Sequence, residues 1–180
     1  MNIKDRSQLL DLARKSIEYY LEYKKKYTLK NQNNSVFMEE RAVFVTLHKG
    51  KDLRGCIGHM QARMPLYKAV IEMAIASAFE DPRFPSVQKE ELKEIKIEIS
   101  ILSPMERIFD YKQIRLGIDG VLIKKGFRSG VYLPQVATDT DWDRETFLRS
   151  LCSSKAGLPA DAYKEPYVEI YIYQVEKFNE

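Results

Sequence analysis

The chain has little of what specialised chemistry leans on: two cysteines, two histidines and one tryptophan in 180 residues. Two Cys and two His without zinc-type spacing exclude the usual tetrahedral zinc sites, and no metal or cofactor is expected. Cys56 and Cys152 lie far apart in patterns of different type, so they read as free thiols. Excess charge is scarce too. Lys and Arg number 29 against 26 Asp and Glu, and a net charge of +3 is too small to imply a phosphate-backbone partner without clustering. The basic run Lys24-Lys25-Lys26 leads into the polar Lys30-Asn31-Gln32-Asn33-Asn34-Ser35 and reads as a solvated helix end and loop, which makes nucleic acid an unexpected partner. No apolar run approaches the roughly 20 residues a membrane helix needs, and no leader pattern opens the chain. A soluble, cytoplasmic protein without a membrane partner is the expectation.

What is present suffices for a core. With 44% hydrophobic residues and only eight Gly and seven Pro, the chain reads as one domain, residues 1–180. From Ser7 to Tyr23, apolar residues at three- and four-residue steps predict an amphipathic helix, with Asp5 as a cap. Ala42 to His48 alternates with both faces largely apolar and predicts a central strand. Lys49-Gly50-Lys51-Asp52 then fits a hairpin turn that brings Leu53 to Gly58 alongside it. Leu66 to Phe79 predicts a small-sided, buried helix behind Pro65. Ile95, Ile97, Ile99 and Ile101 alternate with polar residues, the strongest strand signal in the chain, with one face core and the other wet.

Beyond Pro104 the pattern turns to short hairpins: Arg115 to Ile118, an Asp119-Gly120 turn, Val121 to Lys124 and Val131 to Leu133. These predict a smaller sheet over roughly residues 105–140, with a cleft where it meets the first. A helix from about Trp142 to Ser154 carries Thr140 and Asp143 as its capping pair and Glu145 with Arg149 as an ion pair. A last strand runs through Val168, Ile170 and Ile172, with Tyr167, Tyr171 and Tyr173 read as packing. The fold class is α+β, with mainly antiparallel sheets and flanking helices.

The chemistry gathers in Leu53-Arg54-Gly55-Cys56-Ile57-Gly58, where Gly55 and Gly58 make room around a thiol. Alternation puts Arg54 and Cys56 on one strand face, and a guanidinium beside a thiol stabilises the reactive thiolate. His48 approaches from across the hairpin. Asp81 and Arg83, stiffened by Pro82 and Pro85, either brace their loop or face a ligand. Two arginines suit an anionic small molecule or modified peptide. Cys56 is therefore the candidate nucleophile, and Arg54, Gly55, Gly58, His48, Asp81 and Arg83 are the candidate ligand-binding residues.

The hexapeptide resembles the hallmark of the AMMECR family. Asp81-Pro82-Arg83-Phe84, Ile99-Ser100-Ile101-Leu102-Ser103-Pro104, Leu133-Pro134-Gln135-Val136-Ala137 and Lys155-Ala156-Gly157-Leu158 stand in the order that family shows, so the resemblance covers nearly the whole chain. It implies an α+β fold with a larger and a smaller lobe and a cleft between them to which the hexapeptide contributes. It also implies Memo-type proteins and radical S-adenosylmethionine enzymes as pathway partners. It brings no known reaction, so a binding or enzymatic domain and a pure protein-docking module are both open readings.

Overall fold

The computed structural model describes residues 1–30 and 32–180; Asn31, within the polar linker, lies outside the described residues. The chain divides into two compact units, residues 1–102 with 176–180, and residues 103–175.

In the first unit, helix α1 runs Ile3–Tyr23, four residues earlier than its apolar spacing marks. Its cap is Asn2, whose side chain accepts from the Asp5 N–H at 2.8 Å. Asp5, the expected cap, is instead buried and accepts from Asn34 Nδ2 at 2.8 Å. One short turn, α2 (Ser35–Met38), precedes the hairpin of β1 (Ala42–Lys49) and β2 (Asp52–Gly58). Its turn uses Gly50 at φ +63°, a left-handed conformation that suits glycine. Helix α3 spans Leu66–Phe79 and β3 spans Ile95–Leu102, both as the sequence predicts. The sheet order is β2-β1-β3-β8, where β8 (Val175–Asn179) is a strand the alternation does not announce.

Val43, Val45 and Leu47 of β1 and Ile95, Ile97, Ile99 and Ile101 of β3 point to one face and are buried with Leu9, Ala13 and Ile17 of α1 and Val70 and Ala74 of α3. Each of these valine, leucine and isoleucine side chains contributes roughly 1.5–3 kcal/mol relative to exposure. The alanines of α3 let the helix sit close: a Cβ at Gly55 would fall 2.1 Å from the Ser77 carbonyl oxygen.

The second unit holds a four-stranded antiparallel sheet, β4 (Glu106–Ile108), β5 (Gly120–Lys125), β6 (Arg128–Tyr132) and β7 (Glu169–Tyr173), in the order β4-β7-β5-β6. The α+β class is as expected, and the hairpins expected over 105–140 form part of this unit. Several local expectations differ. Arg115 to Ile118 is a turn, because Asp119 accepts from the Arg115 backbone and guanidinium and curls the segment. The hairpin turn is Gly126-Phe127. Helix α4 (Gln135–Thr140) takes Thr140 into its own last turn, where its hydroxyl donates to Val136. Helix α5 (Arg144–Ser150) is capped by Asp143 as expected, then widens into a π turn over Leu151–Lys155. Arg149 pairs with Asp161 at 2.6 Å instead of with Glu145. Phe147, Leu148, Leu151 and Cys152 pack with Ile108, Val121, Ile123 and Ile170. Tyr173 is buried, and its hydroxyl donates to the Tyr132 carbonyl, whereas Tyr167 is exposed and does not pack. No described helix is long and apolar enough to cross a membrane.

Candidate functional site around Cys56

β2 is an edge strand, so alternate backbone groups along it have no strand to pair with. At Cys56 the open edge is closed by side chains. Asp81 Oδ2 accepts from the Cys56 N–H at 2.8 Å, and Arg83 Nη2 donates to the Cys56 carbonyl at 3.1 Å. Arg83 in turn holds Asp81 through Nε at 2.9 Å, Nη2 at 2.7 Å and its backbone N–H at 3.1 Å. Asp81 and Arg83 therefore stand in for a neighbouring strand. The Arg83 guanidinium, above all, holds the Asp81 carboxyl well below the usual carboxylate range; burial opposes this and the Cys56 N–H adds to it. The two prolines in Asp81-Pro82-Arg83-Phe84-Pro85 restrict the backbone φ on either side of Arg83.

With both Cys56 backbone groups turned to the open edge, Cys56 and Thr46 form a non-hydrogen-bonded pair, in which side chains lie closest. Cys56 Sγ is 3.1 Å from Thr46 Oγ1, and the thiol is half-buried. Thr46 also lies opposite Glu98 on β3, so Cys56, Thr46 and Glu98 form one row across three strands. Lys177 of β8 reaches Glu98 at 3.0 Å. Neither Thr46 nor Glu98 stood among the sequence candidates. The wet face of β3 was readable from its alternation, but the register that lines it up with Cys56 was not.

The other candidates are placed differently from expectation. Leu47 pairs with Gly55 and His48 with Leu53, which leaves Arg54 as the extra residue of a bulge. The bulge breaks the alternation that put Arg54 beside Cys56. Its Nε and Nη2 instead grip both oxygens of Glu91 at 3.0 and 2.7 Å, with the side chains only 11% and 15% exposed. Arg54 lowers the Glu91 carboxyl, aided by the Gln88 N–H and opposed by burial. The cation that touches Cys56 is Arg83. His48 faces Leu53 and Lys96, and the residue directly across from Cys56 is Thr46.

The two glycines serve close approach. Gly55 lies against Ser77 of α3, and a Cβ at Gly58 would fall 2.3 Å from the Phe44 ring. Ser77, missed in the sequence, ties helix to hairpin: its hydroxyl accepts from the Ile57 N–H at 2.9 Å and has the Val45 and Met73 carbonyls at 2.7 Å. His59 donates its backbone N–H to Val43, while both ring nitrogens are out of solvent without a partner. Among the described residues no group of three or more His, Cys, Asp or Glu is gathered for a metal. A separate groove of about 720 Å³ runs between α1 and the segment after it, lined by Asp5, Gln8, Asp11, Tyr27, Asn34 and others, and the motif does not reach it.

Two antiparallel sheets with helices, one of them presenting a half-buried cysteine held by its backbone at a sheet edge, define the class of protein. The profile described as AMMECR1 matches residues 10–178, nearly the whole length, and the chain belongs to the AMMECR1 family. It is 44% identical over 178 residues to a protein of Methanothermobacter thermautotrophicus, with 96% of this chain and 92% of the other covered. Over 182 residues it is 41% identical to a protein of Thermococcus kodakarensis, at 96% and 88% coverage. The crystal structure of an uncharacterized protein from Pyrococcus horikoshii shares the fold, with a TM-score of 0.82 at 39% identity over 96% of this chain and 90% of that one.

Proposed function

We propose that the sheet edge around Cys56 binds an anionic small molecule or modified peptide, with the Cys56 thiol and the outer side of Arg83 as the contacting groups. The observation that carries this reading is Arg83 itself: its side chain is 54% exposed, yet Asp81 and the Cys56 carbonyl fix two of its nitrogens. A cation held in one orientation beside a thiol loses little freedom when an anion arrives, and that raises affinity. Gly55, Gly58, Asp81, Arg54 and Glu91 then act by holding the edge in place. In the enzymatic form of the reading, Cys56 is the nucleophile and the Thr46 hydroxyl is its nearest hydrogen-bonding partner. The Memo-type and radical S-adenosylmethionine proteins implied by the resemblance are the candidate partners in a shared pathway.

Small molecules from cell extract, retained by the wild-type chain and identified by mass spectrometry, test the binding reading. Retention lost in Arg83→Lys and Cys56→Ser, each still folded by circular dichroism, supports it. Retention of a protein partner alone, equal in both variants, replaces it with the docking reading. Alkylation of the native protein separates the thiols. Cys152 is fully buried, and burial pushes its thiol up, so it should resist until unfolding while Cys56 labels near neutral pH. A Cys56 that resists equally would end the nucleophile reading.

A further inference from the structure

Against the expectation of no membrane partner, we propose that one end of the second sheet is a docking surface for an anionic phospholipid membrane. Three aromatic side chains leave the sheet there outside either core, Phe109 with only the Arg107 guanidinium over its ring at 5.2 Å. Phe127 is fully exposed, Phe109 is 88% exposed and Tyr167 is 80% exposed. Register places them together. Ile170 of β7 pairs with Ile108 of β4 and with Ile123 of β5, so the end of β4, the start of β7 and the β5–β6 turn lie at the same end of the sheet. Phe109 follows β4, Tyr167 precedes β7, and Phe127 sits in the turn beyond the last ladder pair, Lys125 with Arg128.

The turn itself does not ask for Phe127. Gly126, at φ +59°, supplies the left-handed residue a two-residue hairpin needs, and a polar residue would serve beside it. Single exposed apolar residues are ordinary, but three large rings at one end mark a surface that meets an apolar partner. Charge selects which partner. Residues 107–113, 124–128 and 163–169 carry six basic and three acidic side chains. Their excess equals the net +3 of the whole chain, so the remainder is balanced. Glu165 pairs with Lys125, Glu169 with Arg107 and Lys164 with Asp161, which leaves Lys112, Lys124 and Arg128 as the bases of this set without an ion pair among the described residues. Rings that project from strand ends, flanked by lysine and arginine, suit entry into an acyl layer beneath anionic headgroups. A base-stacking platform asks for rings lying flat across a sheet face, and Phe127 projects beyond the ladder instead.

Sedimentation of the full chain with phosphatidylglycerol vesicles, and separately with phosphatidylcholine vesicles, tests the proposal. Binding should be selective for phosphatidylglycerol, weaken with added salt, and fall about tenfold in Phe127→Ser, a change that removes no packing contact. In Phe127→Trp the added indole should shift its emission to the blue on mixing with phosphatidylglycerol vesicles. Absence of binding, equal binding to phosphatidylcholine, or binding unchanged in Phe127→Ser overturns it. A Phe127→Ser variant that changes oligomeric state in the ultracentrifuge while the wild type ignores vesicles overturns it too and makes the surface a self-association face. Retention of a single-stranded oligonucleotide without vesicle binding overturns it in favour of nucleic acid.

Discussion

Each unit contains an aspartate almost out of solvent and gripped by an arginine through the same three donors. In the first, Asp81 accepts from the Arg83 backbone, Nε and Nη2 at 3.1, 2.9 and 2.7 Å. In the second, Asp119 accepts from those of Arg115 at 2.9, 3.0 and 2.6 Å. The two arginine side chains are even equally exposed, at 54%. They differ in what else they hold. The Asp119 pair closes the five-residue turn Arg115–Asp119, with the Gln174 side chain as a further partner of the carboxylate, whereas the Asp81 pair reaches across to Cys56 and satisfies both its backbone groups. The same local chemistry is a turn staple in one unit and a substitute strand in the other, and only the second use bears on a thiol.

The comparison breaks most visibly if the carboxylates are removed. Asp81→Ala leaves the Cys56 N–H without its acceptor and should lower stability by about 3 kcal/mol, with Asp119→Ala costing about 1 kcal/mol less because it leaves no sheet-edge N–H unpaired. Urea denaturation of both variants measures this, and equal losses would make the two devices equivalent. Next in size is Gly55→Ala, which drives a methyl into the Ser77 backbone and should cost about 2 kcal/mol. Gly126→Ala, with open space but φ +59°, should cost about 1 kcal/mol.

Acid gives a smaller, graded effect. Arg83 lowers Asp81, and for Asp119 the Arg115 contacts outweigh the upward push of burial. Folded values below the unfolded ones, which lie near 4, mean that each contribution is complete above about pH 5 and is lost as pH falls through the folded value. The urea midpoint of the wild type should drop as pH is lowered from about 5, and Asp81→Asn should flatten that slope. A slope unchanged in Asp81→Asn would detach Asp81 from acid stability. The smallest effect should be that of Cys56→Ser, below about 1 kcal/mol, because Asp81 and Arg83 hold the backbone and not the thiol. Loss of the fold in that variant would place the cysteine in the core rather than at a site.

Periodicity carried α3, the β1–β2 hairpin and β3, whose ends fall within a residue or two of the sequence pattern. It could not carry β8, an edge strand whose two apolar residues, Val175 and Phe178, stand three apart and so fall on opposite faces. That strand is fastened by long-range charge instead, through Glu176 to Arg6 and Glu180 to Arg14. Arg54 failed for a different reason. A single bulge residue shifts every face assignment beyond it, and bulges are set by pairing with a second strand, not by the strand's own sequence. Glu91, Ser77 and Glu98 were invisible as partners because each meets the motif only after the chain has returned from elsewhere. Cys56 and Arg83 were legible as chemistry, although their contact was not.

The place of β8 beside β3 has a kinetic consequence. The chain leaves the first sheet after Leu102 and rejoins it at Val175, so everything from Ser103 to Gln174 is, in topology, the turn of one hairpin. Closing so long a loop as a random coil costs about 4 kcal/mol in chain entropy. Once folded, the inserted unit holds its own ends together: the Ser103 N–H donates to the Gln174 carbonyl and the Gln174 N–H to Ser103 Oγ, both at 2.9 Å. The edge strand therefore docks late, onto a closure already made, and amide exchange along β8 should follow the opening of the inserted unit more closely than that of the β1–β2 hairpin.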